Sequence, residues 1–247
     1  MVLATLNERQ SLPELIERIR RQPLTRCEII VVDDGSTDGT QEYLQKLVSR
    51  DPGVRLLFHD GKQTTLRAQA QGIEAASAPN VVVMDSDLQH PPELLGPILQ
   101  GLESGSALVI ASRYASGGSA GPRTLYRWAV SRVAEWLAKL LLPPSRRVAD
   151  PMSGFFGFRR EIWVPLNPHY RGYKLLVFLL VMAEGRPIRE IGYQFTPRVG
   201  GTSKLTQGFA FIRVFMIELI LARRLRASMG PRPPVPEATS RSEAKVA

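Results

Sequence analysis

The run Val81-Val82-Val83-Met84-Asp85-Ser86-Asp87-Leu88-Gln89 sets the architecture expected of the whole chain. Four apolar residues lead without a break into two carboxylates one residue apart. Such a run predicts a strand covered on both faces, as in a parallel sheet. Acids at the end of a buried strand are costly unless something pairs with them. Ligands of open α/β sheets bind beyond the carboxyl ends of the strands. In extended chain alternate residues point the same way, so Asp85, Asp87 and Gln89 are expected to aim three oxygen-bearing side chains at one point. Oxygen donors suit a hard cation such as Mg²⁺ held between carboxylates and a substrate diphosphate. The competing reading is an acidic surface turn, because Asp-x-Asp is a common pair.

Upstream, the same rhythm recurs. Met1 to Thr5 and Cys27 to Val32 read as strands, the second closed by Asp33-Asp34-Gly35-Ser36. Ser11-Leu12-Pro13-Glu14 is a capping-box pattern before a helix, and Asp38 with Gln41 predicts a second cap. Val54 to Phe58 is a third strand and Thr65 to Ala76 a helix; Pro91-Pro92 stops the strand at 81–84 and opens the next helix. Strand and helix alternating at this pace predict a doubly wound, mainly parallel sheet. The acids at 33–34 and 85–87 then reach the same sheet edge. No Gly-x-Gly-x-x-Gly follows the first strand, which argues against a nicotinamide enzyme.

Downstream, Leu108 to Ala111 predicts a strand and Leu125 to Leu142 a helix ended by Pro143-Pro144. Met152 to Phe158 is expected as a strand, Tyr173 to Glu184 as a helix, Ile188 to Phe195 as the last strand and Phe209 to Arg226 as the last helix. Arg198 to Lys204 reads as a polar loop. From Gly230 the chain is rich in Pro, Ser and Ala and is expected to be disordered.

The chain has 247 residues, 44% hydrophobic and 22% charged, an ordinary globular balance. Its one cysteine, Cys27, excludes an internal disulfide and reads as a small buried hydrophobe. A net charge of +9 points to an anionic partner. Nucleic acid is disfavoured, because the basic residues are scattered and match no recognition motif. No signal peptide is read. The longest apolar run, Leu175 to Ala183, is far short of the ~20 residues of a membrane span. Arg213 and Glu218 interrupt the longer segment Phe209 to Ala222, so no membrane span is expected in this chain.

Seven blocks in order carry a resemblance. Thr5-Leu6-Asn7-Glu8, Val31 to Gly39 (VVDDGSTDG), Met84 to Pro92 (MDSDLQHPP), Ala111-Ser112-Arg113-Tyr114, Asp150 to Phe156 (DPMSGFF), Gly172-Tyr173-Lys174 and Gly201 to Leu205 (GTSKL) resemble the inverting family 2 glycosyltransferases. Within these the chain looks most like the dolichyl- or polyprenyl-phosphate mannose synthases. It departs from that pattern at Ala4 and Leu6, at Thr64-Thr65-Leu66, and at Phe178, where an acid is usual.

The resemblance implies a GT-A type fold and a site. Thr5, Asn7, Glu8, Asp33, Asp34, Ala68, Asp85 and Ser86 would bind the nucleotide sugar. Asp85, Asp87 and Gln89 would hold Mg²⁺ or Mn²⁺ on the diphosphate. Arg113, Arg127, Ser131, Arg198 and Lys204 would grip the acceptor's phosphate, with Asp87, Arg113 and Arg127 central to catalysis. Guanidinium groups suit this task, because an anionic nucleophile must approach an anionic diphosphate. Taken bare, each of these acids is a turn former and each Arg a solvated charge. Trp128 and Trp136 read as packing residues, and His90 as a loop residue rather than a ligand.

The implied reaction is transfer of mannose from GDP-mannose to dolichyl or polyprenyl phosphate with inversion. The alternatives are a UDP-sugar donor such as UDP-glucose, a saccharide acceptor needing a general base, or a non-catalytic scaffold that kept the fold. Residues 1–205 are expected to form the catalytic domain and 206–229 an apolar and basic helix, a candidate for the membrane interface; 230–247 form the tail. The expected place is peripheral, on the cytoplasmic face of a membrane. Other members of the family are tethered by an added transmembrane helix or by a membrane-anchoring partner subunit.

Overall fold

The structure, a computed structural model, describes residues 1–24, 26–59, 63–122, 124–196 and 208–230. Seven strands, β1 (Val2–Thr5), β2 (Ile29–Asp33), β3 (Val54–Phe58), β4 (Asn80–Asp85), β5 (Leu108–Ser112), β6 (Phe156–Arg159) and β7 (Ile188–Gly192), form one sheet in the order β3-β2-β1-β4-β6-β5-β7. All neighbours are parallel except β6, which runs antiparallel to both β4 and β5. The helices are α1 (Leu12–Arg20), α2 (Thr40–Val48), α3 (Thr65–Ala75), α4 (Leu95–Glu103), α5 (Leu125–Leu141), α6 (Leu176–Met182) and α7 (Gly208–Met229).

Apolar runs became central strands because both faces are covered. Val81 and Val83 join Val2, Ile30 and Val32 in a core closed by α3, α5, α6 and α7. Val82 and Met84 join Leu3, Ile29 and Val31 on the opposite face, under α1, α2 and α4. Alternation of side chains along each strand splits one hydrophobic run between two cores.

The sheet edge expected from sequence is present. Thr5 lies in register with Asp33, and Ala4 with Asp85. With strands ~4.8 Å apart, β2, β1 and β4 carry Asp33 and Asp85 to one rim, about 10 Å from each other.

Several expectations need correction. The segment Met152–Phe155 is a turn rather than strand; β6 begins at Phe156. Asp150 holds that turn by accepting the Met152 N–H at Oδ1, and Ser153 Oγ donates to Ala111 O. Helix α6 starts at Leu176, not Tyr173, and β7 ends at Gly192, not Phe195. Ser11 makes no side-chain cap on α1; its hydroxyl donates to Glu8. Gly39, not Asp38, is the N-cap of α2. Cys27 is only partly buried. Trp128 and Trp136 do not pack in the core: they are 53% and 61% exposed on α5. No helix among the described residues is long and apolar enough to cross a membrane.

Candidate active site

The loop after β1 and the loop after β2 are laced together. Asn7, in the left-handed region at φ 57°, accepts the Thr37 N–H at its side-chain oxygen while its own N–H donates to Ser36 Oγ. Glu8 N–H donates to Thr40 Oγ1, and the Glu8 carboxylate accepts Ser11 Oγ–H at 2.7 Å. Arg9 N–H donates to Asp38 Oδ2. Asn7 and Glu8 thus build the walls of the site. Ala68, assigned to the nucleotide sugar by resemblance, is fully buried in the core on α3.

Asp33 and Asp34 differ in their surroundings. Asp33 Oδ1 accepts from Gly35 N, Ser36 N and Gln41 Nε2, which shapes the turn. Its Oδ2 is buried without a partner, as is the Thr5 hydroxyl on the neighbouring strand. Asp34 Oδ1 instead lies 3.1 Å from His59 Nδ1 and accepts the Gln63 N–H at 2.8 Å.

The expectation that Asp85, Asp87 and Gln89 share one extended face does not hold. The strand ends at Asp85, and Leu88 takes φ 61°, an uncommon conformation for a branched apolar residue. The chain turns so that Gln89 N–H donates to Asp87 Oδ1, and Gln89 Nε2 donates to Thr196 O. Ser86 Oγ donates to Ala4 O, fastening this turn to β1. Asp85 stays partly exposed while Asp87 is buried. A Cβ on Gly154 would stand 2.6 Å from Asp85 Oδ2, so the turn after Asp150 needs glycine there to admit the carboxylate.

Beneath the turn His90 is buried, its Nδ1 4.0 Å from Asp85 Oδ2 and otherwise unpartnered, its ring against Phe155, Tyr193 and Phe195. Burial holds its pKa below the ordinary histidine value, against the pull of Asp85 and Asp87. Among the described residues no group of three or more His, Cys, Asp or Glu side chains could hold a metal. Two carboxylates and no soft ligand fit a hard cation whose remaining ligands come from a bound diphosphate and water.

Arg113 follows β5. Its Nε and Nη2 both donate to Asp150 at 2.7 Å, and its backbone N–H donates to Asp150 Oδ2. Burial disfavours the guanidinium, but Asp150 outweighs it and raises the pKa above the ordinary arginine value. In turn burial pushes Asp150 upward, and Arg113 holds it below the usual carboxylate range. Lys174 Nζ donates to Met152 O at 2.9 Å. Burial lowers its pKa, with Asp85 the leading opposing charge. Arg127 and Ser131 are both partly buried, one turn apart on α5. Arg198 and Lys204 lie outside the described residues.

Sequence reading assigned no role to Asp150, Lys174, Glu218 or His59. The first two stood inside quoted blocks. Glu218 was read only as an interruption of an apolar segment. His59 carried one signal: it is the residue immediately after a strand that pairs with β2.

A mostly parallel sheet of this order, with carboxylates at one rim, has the GT-A type architecture. Residues 1–163 match Glycosyl transferase family 2, and the chain belongs to that family. It is 38% identical over 209 residues to a dolichol-phosphate mannosyltransferase of Pyrococcus furiosus, covering 83% of this chain and 58% of that protein. It is 34% identical over 187 residues to a dolichol-phosphate mannosyltransferase of Mycosarcoma maydis, covering 74% of this chain and 62% of the relative. The chain therefore spans less than two thirds of the length of these curated relatives. Among solved structures it is similar to glucosyl-3-phosphoglycerate synthase from Mycobacterium tuberculosis in complex with Mn²⁺, UDP-glucose and phosphoglyceric acid. The TM-score is 0.68 at 24% identity, covering 90% of this chain and 78% of that one. That likeness concerns the fold.

Proposed function

We propose that the protein transfers mannose from GDP-mannose to a dolichyl or polyprenyl phosphate, with inversion at the anomeric carbon. The observation that carries the reading is the register of β2, β1 and β4, which brings Asp33, Asp34, Asp85 and Asp87 to one rim. Family membership and the names of the relatives support the sugar and lipid classes.

On this reading Asp34 accepts an N–H of the base, and Asp85 and Asp87 hold Mg²⁺ or Mn²⁺. The cation supplies charge neutralisation to the leaving nucleoside diphosphate. Gln89 is held through its amide nitrogen on Thr196 O, and its side-chain oxygen is the atom that would serve as a ligand. Arg113, Arg127 and Ser131 offset and orient the acceptor phosphate, with Arg198 and Lys204 assigned the same task by resemblance. Asp150 occupies two Arg113 nitrogens, which leaves Nη1 for phosphate. No side-chain base is required: a phosphate monoester is largely ionised at neutral pH, with a second pKa near 6. Attack opposite the leaving group gives a β-linked product from an α-linked donor. Catalysis is then alignment and electrostatics.

The lipid acceptor places the enzyme at a membrane surface. Leu125, Trp128, Val133, Trp136 and Leu140 are exposed on one side of α5, and Ile217 and Ile220 are exposed on the neighbouring α7. Tryptophans beside aliphatic residues suit the headgroup level of a bilayer. Residues 1–205 act as the catalytic domain, and 206–229 support this surface. A partner subunit that anchors the protein is compatible with it.

The deciding experiment is a donor panel, GDP-mannose against UDP-glucose and other UDP-sugars, with a short polyprenyl phosphate, scored for lipid-linked product. Mannosyl lipid from GDP-mannose is expected. Product from a UDP-sugar alone would replace the donor assignment, and no turnover with any donor would favour a scaffold.

A further inference from the structure

Strand β3 pairs with β2 so that Phe58 stands opposite Asp33. The next residue, His59, therefore arrives beside Asp34. Its N–H donates to Asp33 O at 3.0 Å, fixing the backbone there. Its ring is buried, with Nδ1 3.1 Å from Asp34 Oδ1 and Nε2 against the side-chain oxygen Oε1 of Gln71 on α3. An ionised carboxylate only accepts, so Nδ1 carries the hydrogen in this contact. Oδ1 also takes the Gln63 N–H. Two donors on one oxygen fix the rotation of the carboxylate, and among the described residues no donor bonds Oδ2. Asp33 differs, because the donors on its Oδ1 come from its own turn and from α2.

We propose that His59 is a positioning residue for base recognition: its Nδ1–H holds Asp34 so that Oδ2 accepts an N–H of the nucleoside diphosphate's base. This rests on the reading of Asp34 as the base acceptor. Glycosyl transfer itself does not require the imidazole, so its loss is read in donor binding.

The test compares affinities of the full chain for GDP and for inorganic pyrophosphate, each with Mn²⁺, by calorimetry. A charge-assisted hydrogen bond that orders an acceptor is worth on the order of tenfold in affinity. His59→Phe is expected to weaken GDP about that much and leave pyrophosphate unchanged. His59→Asn puts an amide N–H near the place of Nδ1 and is expected to restore GDP binding; His59→Gln reaches instead toward the place of Nε2 and is not. The Asn and Gln pair keeps the test valid if the Phe variant fails to fold. Equal GDP affinity in wild type and His59→Phe, an equal loss of pyrophosphate, or failure of Asn to outperform Gln would each overturn the proposal. Asp34→Asn separates the two layers. If it loses GDP while His59→Phe does not, the base reading stands without His59. If it binds GDP like wild type, the base reading falls as well.

Discussion

Arg113 and Asp150 meet through two hydrogen bonds of 2.7 Å, Nε to Oδ2 and Nη2 to Oδ1, with the Asp150 side chain fully buried. The pair joins the end of β5 to the turn that carries Gly154 against Asp85. Removing one member of a buried pair leaves the other charge uncompensated, at about 3–5 kcal/mol. Asp150→Ala should therefore lower the urea-unfolding free energy by that order. Asp150 is held below its unfolded pKa, so its contribution is present above about pH 4 and fades as pH falls through the folded value. The stability gap between wild type and Asp150→Ala should close in strong acid. A gap constant from pH 7 to pH 2 would show that the charge is not what stabilises.

Asp87→Ala is expected to abolish transfer while the far-UV spectrum and melting temperature stay near wild type. Loss of a metal ligand should cost several kcal/mol of transition-state stabilisation, on the order of a hundredfold or more in rate. Chelation with EDTA should stop turnover, with Mg²⁺ or Mn²⁺ restoring it and Zn²⁺ doing so poorly, since Asp85 and Asp87 offer only oxygen donors. Full activity in a metal-stripped preparation would remove Asp85 and Asp87 from the metal role.

The central strands around β1 were readable because buried parallel strands are written as unbroken apolar runs, and the edge strand Val54–Phe58 was placed to the residue although Arg55 interrupts it. The rim acids were readable for the same reason: a strand end announces its own polar residues. The pose of Gln89 was not, since it depends on Leu88 adopting a left-handed conformation that sequence does not advertise. The start of α6 was missed because the amides of Tyr173 and Lys174, ahead of the helix, are claimed by Glu218, a residue more than forty positions away. Trp128 and Trp136 were misread because helical spacing identifies a stripe but not what covers it.

Glu218 gives a pH test of that long-range contact. Its Oε1 accepts the N–H of Tyr173 at 2.6 Å and of Lys174 at 2.7 Å, and a Cβ on Gly172 would collide with it. Burial pushes the carboxyl up to about 7, against the pull of those amides and of Lys174. The fold thus prefers the neutral acid. The penalty is absent below the unfolded pKa near 4.5, grows as pH rises to about 7 and is constant above. Glu218→Gln mimics the neutral form. It should gain stability at pH 8, by at most about 3 kcal/mol, and change little at pH 4. A glutamine variant less stable than wild type at pH 8 would mean that the ionised carboxylate is the native form.

The exposed face of α5 yields the last prediction. Trp128 and Trp136 are 53% and 61% exposed, and Leu125 is 81% exposed. Large apolar side chains exposed along one side of a helix, with Arg132 between the two tryptophans, suit an interaction surface. The inward side of α7 is occupied, since Phe211, Phe215, Leu219 and Ala222 are buried in the core. What α7 offers to a membrane is its outer side, with Ile217 and Ile220 at 47% exposure and Arg223 and Arg224 following. Burying a tryptophan or leucine contributes roughly 1.5–3 kcal/mol, and each basic residue near an anionic surface adds about 1 kcal/mol. The double variant Trp128→Ser, Trp136→Ser should lower cosedimentation with anionic liposomes by at least tenfold, at unchanged melting temperature. Arg223→Gln with Arg224→Gln should weaken binding mainly at low salt, where charges are least screened. Vesicle binding that ignored the tryptophans and followed only the arginines would move the contact from α5 to α7. Absence of binding by the wild-type chain at low salt would remove the membrane surface from the proposal.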